Sequence, residues 1–117
     1  MQTPREHLNQ AISNEKFLNE IDQGRFPDWT VTVAFYTALH LIGQVLARDG
    51  IDPDSHQIRN DYIWEFYPSL WKLYNPLYTW SKDARYVCGH STVKDAENAL
   101  RQLDRIEAEV NRILTAP

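Results

Sequence analysis

Apolar and polar positions repeat with a helical period along most of the chain. Leu8, Ala11, Ile12, Leu18 and Ile21 form one stripe between Thr3-Pro4 and Gly24. A capping threonine followed by proline at the first helical position starts such a helix. Phe26-Pro27-Asp28 breaks the chain and recaps it, with Asp28 the expected N-cap. Phe35, Leu39, Ile42 and Leu46 then predict a second helix with these four side chains inside, stopped near Asp49-Gly50. Asp52-Pro53-Asp54-Ser55 reads as a turn and a new cap, opening a short helix from His56 to about Phe66. Pro68 opens a fourth helix with two adjacent stripes. One is Leu70, Leu73, Leu77, Trp80 and Ala84; the other is Tyr67, Trp71, Tyr74 and Tyr78. Pro76 between them is expected to kink or restart that helix. Gly89-His90-Ser91 ends it, and Ser91 or Thr92 caps a last helix. The face of that helix runs through Val93, Ala96, Leu100, Leu103, Ile106 or Glu107, Val110 and Ile113. No stretch alternates as a strand does, and there is no internal repeat. The pattern predicts an all-α chain, an antiparallel up-and-down bundle of four to five helices with short loops.

Length and charge narrow this further. With 117 residues the chain has enough for one core and one domain, 1–117. A net charge of −4 leaves no global basic field for a nucleic-acid backbone, so any such contact needs a local patch. The single cysteine, Cys88, cannot form an internal disulfide, and MQTPREHLNQ lacks the apolar run of a secretion signal. Both point to a cytoplasmic setting. Residues 29–47 carry no charge and are long enough to span a bilayer. Thr30, Thr32, Thr37, His40 and Gln44 interrupt them, and no basic cluster or aromatic belt flanks them. The expectation is a central helix buried on all sides in a bundle, with no membrane contact.

Polar chemistry concentrates around the second and third helices. Tyr36 and His40 are four residues apart and share a helical face, and His56 and Arg59 are neighbours at the next helix start. A satisfied polar seam explains Tyr36 and His40 more simply than a substrate or phosphate contact does. Arg59 can pair with Asp61 or Glu65, or grip a phosphate with its planar fork. Arg85 and His90, with four residues between them, meet the minimum of a metal-independent ribonuclease. There the histidine serves as acid or base and the arginine stabilises phosphate charge. His7, His40, His56 and His90 are dispersed, with no metal-binding spacing, and no motif implies a cofactor. Trp71, Tyr74 and Tyr78 offer more aromatic surface than one helix face in a small bundle needs. They are either core or the seam of a homodimer.

The order of these features resembles the HEPN domain family of small helical bundles. The resemblance rests on Ala34-Phe35-Tyr36-Thr37-Ala38-Leu39-His40-Leu41, then Ala47, Gly50 and Pro53-Asp54-Ser55-His56. It continues through Ala84-Arg85-Tyr86 and Lys94-Asp95-Ala96-Glu97-Asn98-Ala99-Leu100, from about residue 8 to 113. It implies a helical bundle, often dimeric, tied to RNA cleavage or to RNA or nucleotide binding. Such domains belong to toxin–antitoxin or defence systems and often act beside a nucleotidyltransferase partner. Catalytic members carry the arginine–histidine spacing that Arg85 and His90 meet, usually with a polar residue directly after the arginine. Here Tyr86 stands at that position, as in the similar segment of non-catalytic members. The resemblance therefore favours a binding or accessory module with a corner of Tyr36, His40, His56, Arg59, Arg85 and Tyr86. A ribonuclease using Arg85 and His90 and a purely structural dimerisation unit are the alternatives.

Overall fold

The computed structural model describes residues 1–86 and 91–117; Cys88, Gly89 and His90 lie outside them. Five helices make up the architecture, with no strand among the described residues: α1 Pro4–Glu20, α2 Pro27–Arg48, α3 His56–Phe66, α4 Pro68–Tyr86 and α5 Val93–Thr115. Their starts follow local chemistry. Thr3 caps α1 in a reciprocal box with Glu6, Ser55 accepts from the Ile58 N–H, and Thr92 caps α5 in a box with Asp95. Gly50 takes a left-handed φ of 77° just after α2. Asp28 is not the N-cap. Pro27 occupies the first turn of α2, so the helix starts two residues earlier than an Asp28 cap would set it, after Phe26. Asp28 instead accepts the Ser91 N–H at 3.1 Å, tying the start of α2 to the approach to α5.

At the other end, Arg48 donates to the Ile113 carbonyl at 3.2 Å. These two ties show that α2 and α5 run parallel. The start of α4 meets the end of α2, where Asp49 accepts from Tyr67 and, at 3.0 Å, from Tyr62. Successive long helices thus alternate in direction, and α3 is a short element set between α2 and α4. Of the helices, α1 packs on α2 and α3 on α4, while α2 packs on α1, α4 and α5.

That central position accounts for the composition of α2. Thirteen of its 22 residues are buried. Its buried threonines need no partner helix, because Thr30, Thr32 and Thr37 donate to the carbonyls of Phe26, Asp28 and Val33 at 3.2, 2.8 and 2.7 Å. By length and composition α2 can also cross a membrane, but 78% of its most apolar window is covered by the bundle. Phe35, Ile42 and Leu46 lie in the core as expected, whereas Leu39 is only partly buried and stands at the edge of a cavity.

α4 continues through Pro76 as one helix. Pro76 has no N–H to offer the preceding turn. In that turn the buried Gln102 side chain of α5 donates to the Leu73 carbonyl at 2.8 Å. The buried face of α4 is Leu70, Tyr74, Leu77 and Ser81, drawn from both sequence stripes. Tyr74 is 0% exposed and so belongs to the core, not to an outer seam; Trp71 and Tyr78 are partly buried beside it. Phe35 is the hub of the aromatic cluster, with Tyr36, His56, Tyr74 and Tyr78 at ring-centroid distances of 5.3, 6.0, 6.2 and 5.8 Å.

Candidate functional site

The predicted corner divides into two adjacent groups joined by Arg59. Tyr36 and His40 share a face of α2 but address different neighbours. Tyr36 turns to α4, where its hydroxyl accepts from Arg85 at 3.3 Å. His40 turns to α1, where its Nδ1 lies 3.0 Å from Nδ1 of His7.

In the first group Arg85 is held from several sides. It donates to the Ser81 carbonyl at 3.2 Å and the Ser81 hydroxyl at 3.4 Å, besides Tyr36. Its guanidinium carbon lies 5.0, 5.8 and 5.2 Å from the ring centres of Phe35, Tyr36 and Tyr86. Three of its five N–H donors are engaged, and two have no partner among the described residues. Lys82 lies 4.8 Å from the ring centre of Tyr78, which also packs on His56.

Arg59 does not pair with Asp61 or Glu65. It donates to Nδ1 of His56 at 2.9 Å. Since a guanidinium can only donate, the His56 Nδ1 is unprotonated and its proton sits on Nε2. Burial lowers the His56 pKa first, and the positive charges of Arg59, Arg85 and Lys82 lower it further. Arg59 also acts on Tyr74. That hydroxyl is buried with no partner in hydrogen-bond geometry, and its pKa is driven up by burial and partly offset by Arg59.

The second group is a cavity of about 180 Å³ whose walls include His7, Leu39, His40, Gly43, Asp52 and Arg59. A Cβ on Gly43 would come within 2.6–2.8 Å of three atoms of the His7 ring. Only glycine at this position lets the imidazole lie against α2. Glycine inside a helix costs about 0.8–1.0 kcal/mol relative to alanine. Sequence reasoning gave His7 no role, and the interior glycine of α2 was the signal that could have found it. Burial lowers both histidine pKa values. His40 is lowered further by His7 and Arg59, and His7 by Arg59 against the opposing pull of Asp52.

The two groups together gather Arg59, Arg85, Lys82 and three histidines on a chain whose net charge is −4. Among the described residues the ion pairs are Arg48–Asp49 and Arg112–Glu109, so neither Arg59 nor Arg85 has a carboxylate within ion-pair distance. No cluster of three or more potential metal ligands occurs among the described residues. His90, the predicted partner of Arg85, lies outside them. No family model, curated protein or solved structure matches the chain.

Proposed function

We propose that this chain is a HEPN-like accessory module that binds the phosphate of RNA or of a nucleotide at the Arg59–Arg85 corner. It acts as a homodimer and beside a nucleotidyltransferase-type partner, in a toxin–antitoxin setting. One observation carries the binding reading: two guanidiniums without carboxylate partners flank a neutral histidine. Both arginines are half-buried, so their remaining donors reach solvent and an anion can meet them. Here ring faces, hydroxyls and a carbonyl hold Arg85 in place and leave donors free for an anion. Tyr36 and Tyr86 are both exposed beside Arg85 and offer faces for a base to stack on. The acidic remainder of the molecule keeps unaided RNA affinity modest, and a partner supplies the missing positive surface.

Fluorescence anisotropy with a short single-stranded RNA tests this. Arg59→Ala and Arg85→Ala should each weaken binding on the order of tenfold, as removal of one charge-assisted hydrogen bond does. Each should also make the log–log salt dependence shallower, by about 0.7 for every phosphate no longer neutralised. Helical content by circular dichroism should stay at the wild-type level. Salt-independent binding, or binding indifferent to both arginines, overturns the reading. RNA cleavage in the presence of a chelator, abolished by His90→Ala, assigns the ribonuclease alternative instead.

A further inference from the structure

The phosphate corner leaves the His7–His40 pair without a role, and that pair is built with some care. The His7 ring fits against α2 only because residue 43 is glycine. The two Nδ1 atoms, 3.0 Å apart, form a hydrogen bond, so one must carry a proton and the other a lone pair. In the neutral pair the donating ring then has a bare Nε2, and the accepting ring carries its proton on Nε2. The pair therefore shows its surroundings one N–H and one lone pair. A single added proton goes to the bare Nε2. It converts the pair into two outward N–H donors with one positive charge and leaves the internal bond intact. A second proton would have to sit on the accepting Nδ1 and would break that bond.

The space beside the pair suits a small, compact anion. A cavity of about 180 Å³ holds several waters. That is below the range of sites for drug-sized molecules, but enough for one tetrahedral oxyanion and some solvent. The groups around it favour negative charge. Arg59 of α3 lines it and acts electrostatically on both imidazoles. Glu6 of α1 acts on His7 but is bonded to Thr3, and Asp52 of the α2–α3 loop, also in the cavity wall, opposes an anion but is exposed to solvent. Met1 and Gln2 close a further side.

We propose that this cavity binds one tetrahedral oxyanion, a phosphate monoester group or free phosphate, between Arg59 and the His7–His40 pair, and takes up one proton from solvent as it does so. The inference rests on the phosphate reading above through Arg59 but makes no use of Arg85, so the two can fail separately. The added proton supplies the charge that the neutral pair lacks at pH 7.

Sulfate is the probe, because it does not itself titrate between pH 5 and 8. Isothermal titration calorimetry at pH 7.5, in two buffers of different ionisation enthalpy, should give close to one proton taken up per sulfate bound. Affinity should fall by up to about tenfold per pH unit above the pair's own titration. His40→Gln, which keeps a donor but cannot titrate, should bind more weakly and take up less than one proton per sulfate, since only His7 is left to titrate. Gly43→Ala should lose binding by at least about tenfold while helical content by circular dichroism and the thermal midpoint stay near wild type, which separates loss of the site from unfolding. Displacement of sulfate by adenosine monophosphate assigns a nucleotide terminus as the source of the anion, and displacement by inorganic phosphate alone assigns the free ion; either supports the site. Equal sulfate affinity at pH 6 and pH 8, failure of sulfate to bind, or micromolar Zn²⁺ binding abolished by His40→Gln overturns it. If sulfate does not bind while RNA affinity still depends on Arg85, this inference alone has failed.

Discussion

At the scale of single residues, the polar groups inside the bundle are where packing and chemistry compete. Tyr74 shows the contest. Its ring stacks in the core against Phe35 and Tyr78, yet its hydroxyl is buried without a partner. A buried polar group left unsatisfied costs about 1–3 kcal/mol. Tyr74→Phe should therefore leave stability unchanged or raise it by about 1 kcal/mol in urea denaturation. Tyr74→Ala should lower it by about 3–5 kcal/mol. A clear loss in Tyr74→Phe would mean that Arg59 holds the hydroxyl after all. The same residue marks what the sequence could not tell. Helical spacing put Tyr74 on an aromatic stripe, but periodicity does not say which of two adjacent stripes faces inward. The contacts of Tyr36 and His40 were hidden for a related reason. Four-residue spacing shows that two side chains share a face, and a face as broad as this one meets two different neighbours. His7 carried no signal of its own, since a lone histidine on an amphipathic helix is ordinary. Only the fitted glycine of α2 gives it away.

At the scale of elements, α1 is tied to the bundle chiefly through one neighbouring helix. Among the helices it packs on α2, and Ala11 is its only fully buried residue. Two pH-sensitive contacts act on it with opposite sign. The Glu15 carboxyl of α1 faces Glu107 of α5, and hydrogen bonding to that neighbour, with burial and the nearby Asp104, raises the Glu15 pKa to about 7. A carboxyl raised in the folded state stabilises the fold fully below its unfolded value of 4.5 and loses that contribution as pH rises through about 7. His7 and His40 are lowered instead. Their contribution is present above the unfolded value of 6.5 and is lost as pH falls through their depressed folded values. Glu15→Gln should therefore raise the thermal midpoint at pH 8 and leave it near wild type at pH 5. Equal shifts at both pH values would show that the carboxyl pair is not what responds. The elements themselves were legible. Caps, prolines and Gly50 mark the chain's turns, and α3 spans the range expected, because these signals act within a few residues. The parallel course of α2 and α5 was not legible. It depends on contacts such as Asp28 to Ser91 and Arg48 to Ile113 that join residues more than sixty positions apart.

At the scale of the whole molecule, the bundle has more aromatic surface than its core absorbs. Phe35, Tyr74 and their neighbours account for the inner rings, but Trp64 is 64% exposed and Trp29 61%. Phe66 is also mostly exposed, and Trp71 and Tyr78 keep an outer edge. α3, which packs on α4 and fully buries only Ile63, carries Ile58, Trp64 and Phe66 to the surface. Large aromatic groups so placed anchor protein contacts better than they tolerate water. They are the physical reason to expect the homodimer proposed above, with Trp71 and Tyr78, but not Tyr74, near its seam. Trp71→Glu separates association from folding. Trp71 packs against the Tyr74 ring at 6.1 Å yet keeps an exposed edge, so a charge there disturbs the seam more than the core. Sedimentation velocity at high micromolar concentration should show a dimer for the wild type and a shift toward monomer for Trp71→Glu, with helical content by circular dichroism nearly unchanged. A wild type that stays monomeric across that range ends the dimer proposal and leaves the exposed rings of α3 and α4 to a different partner.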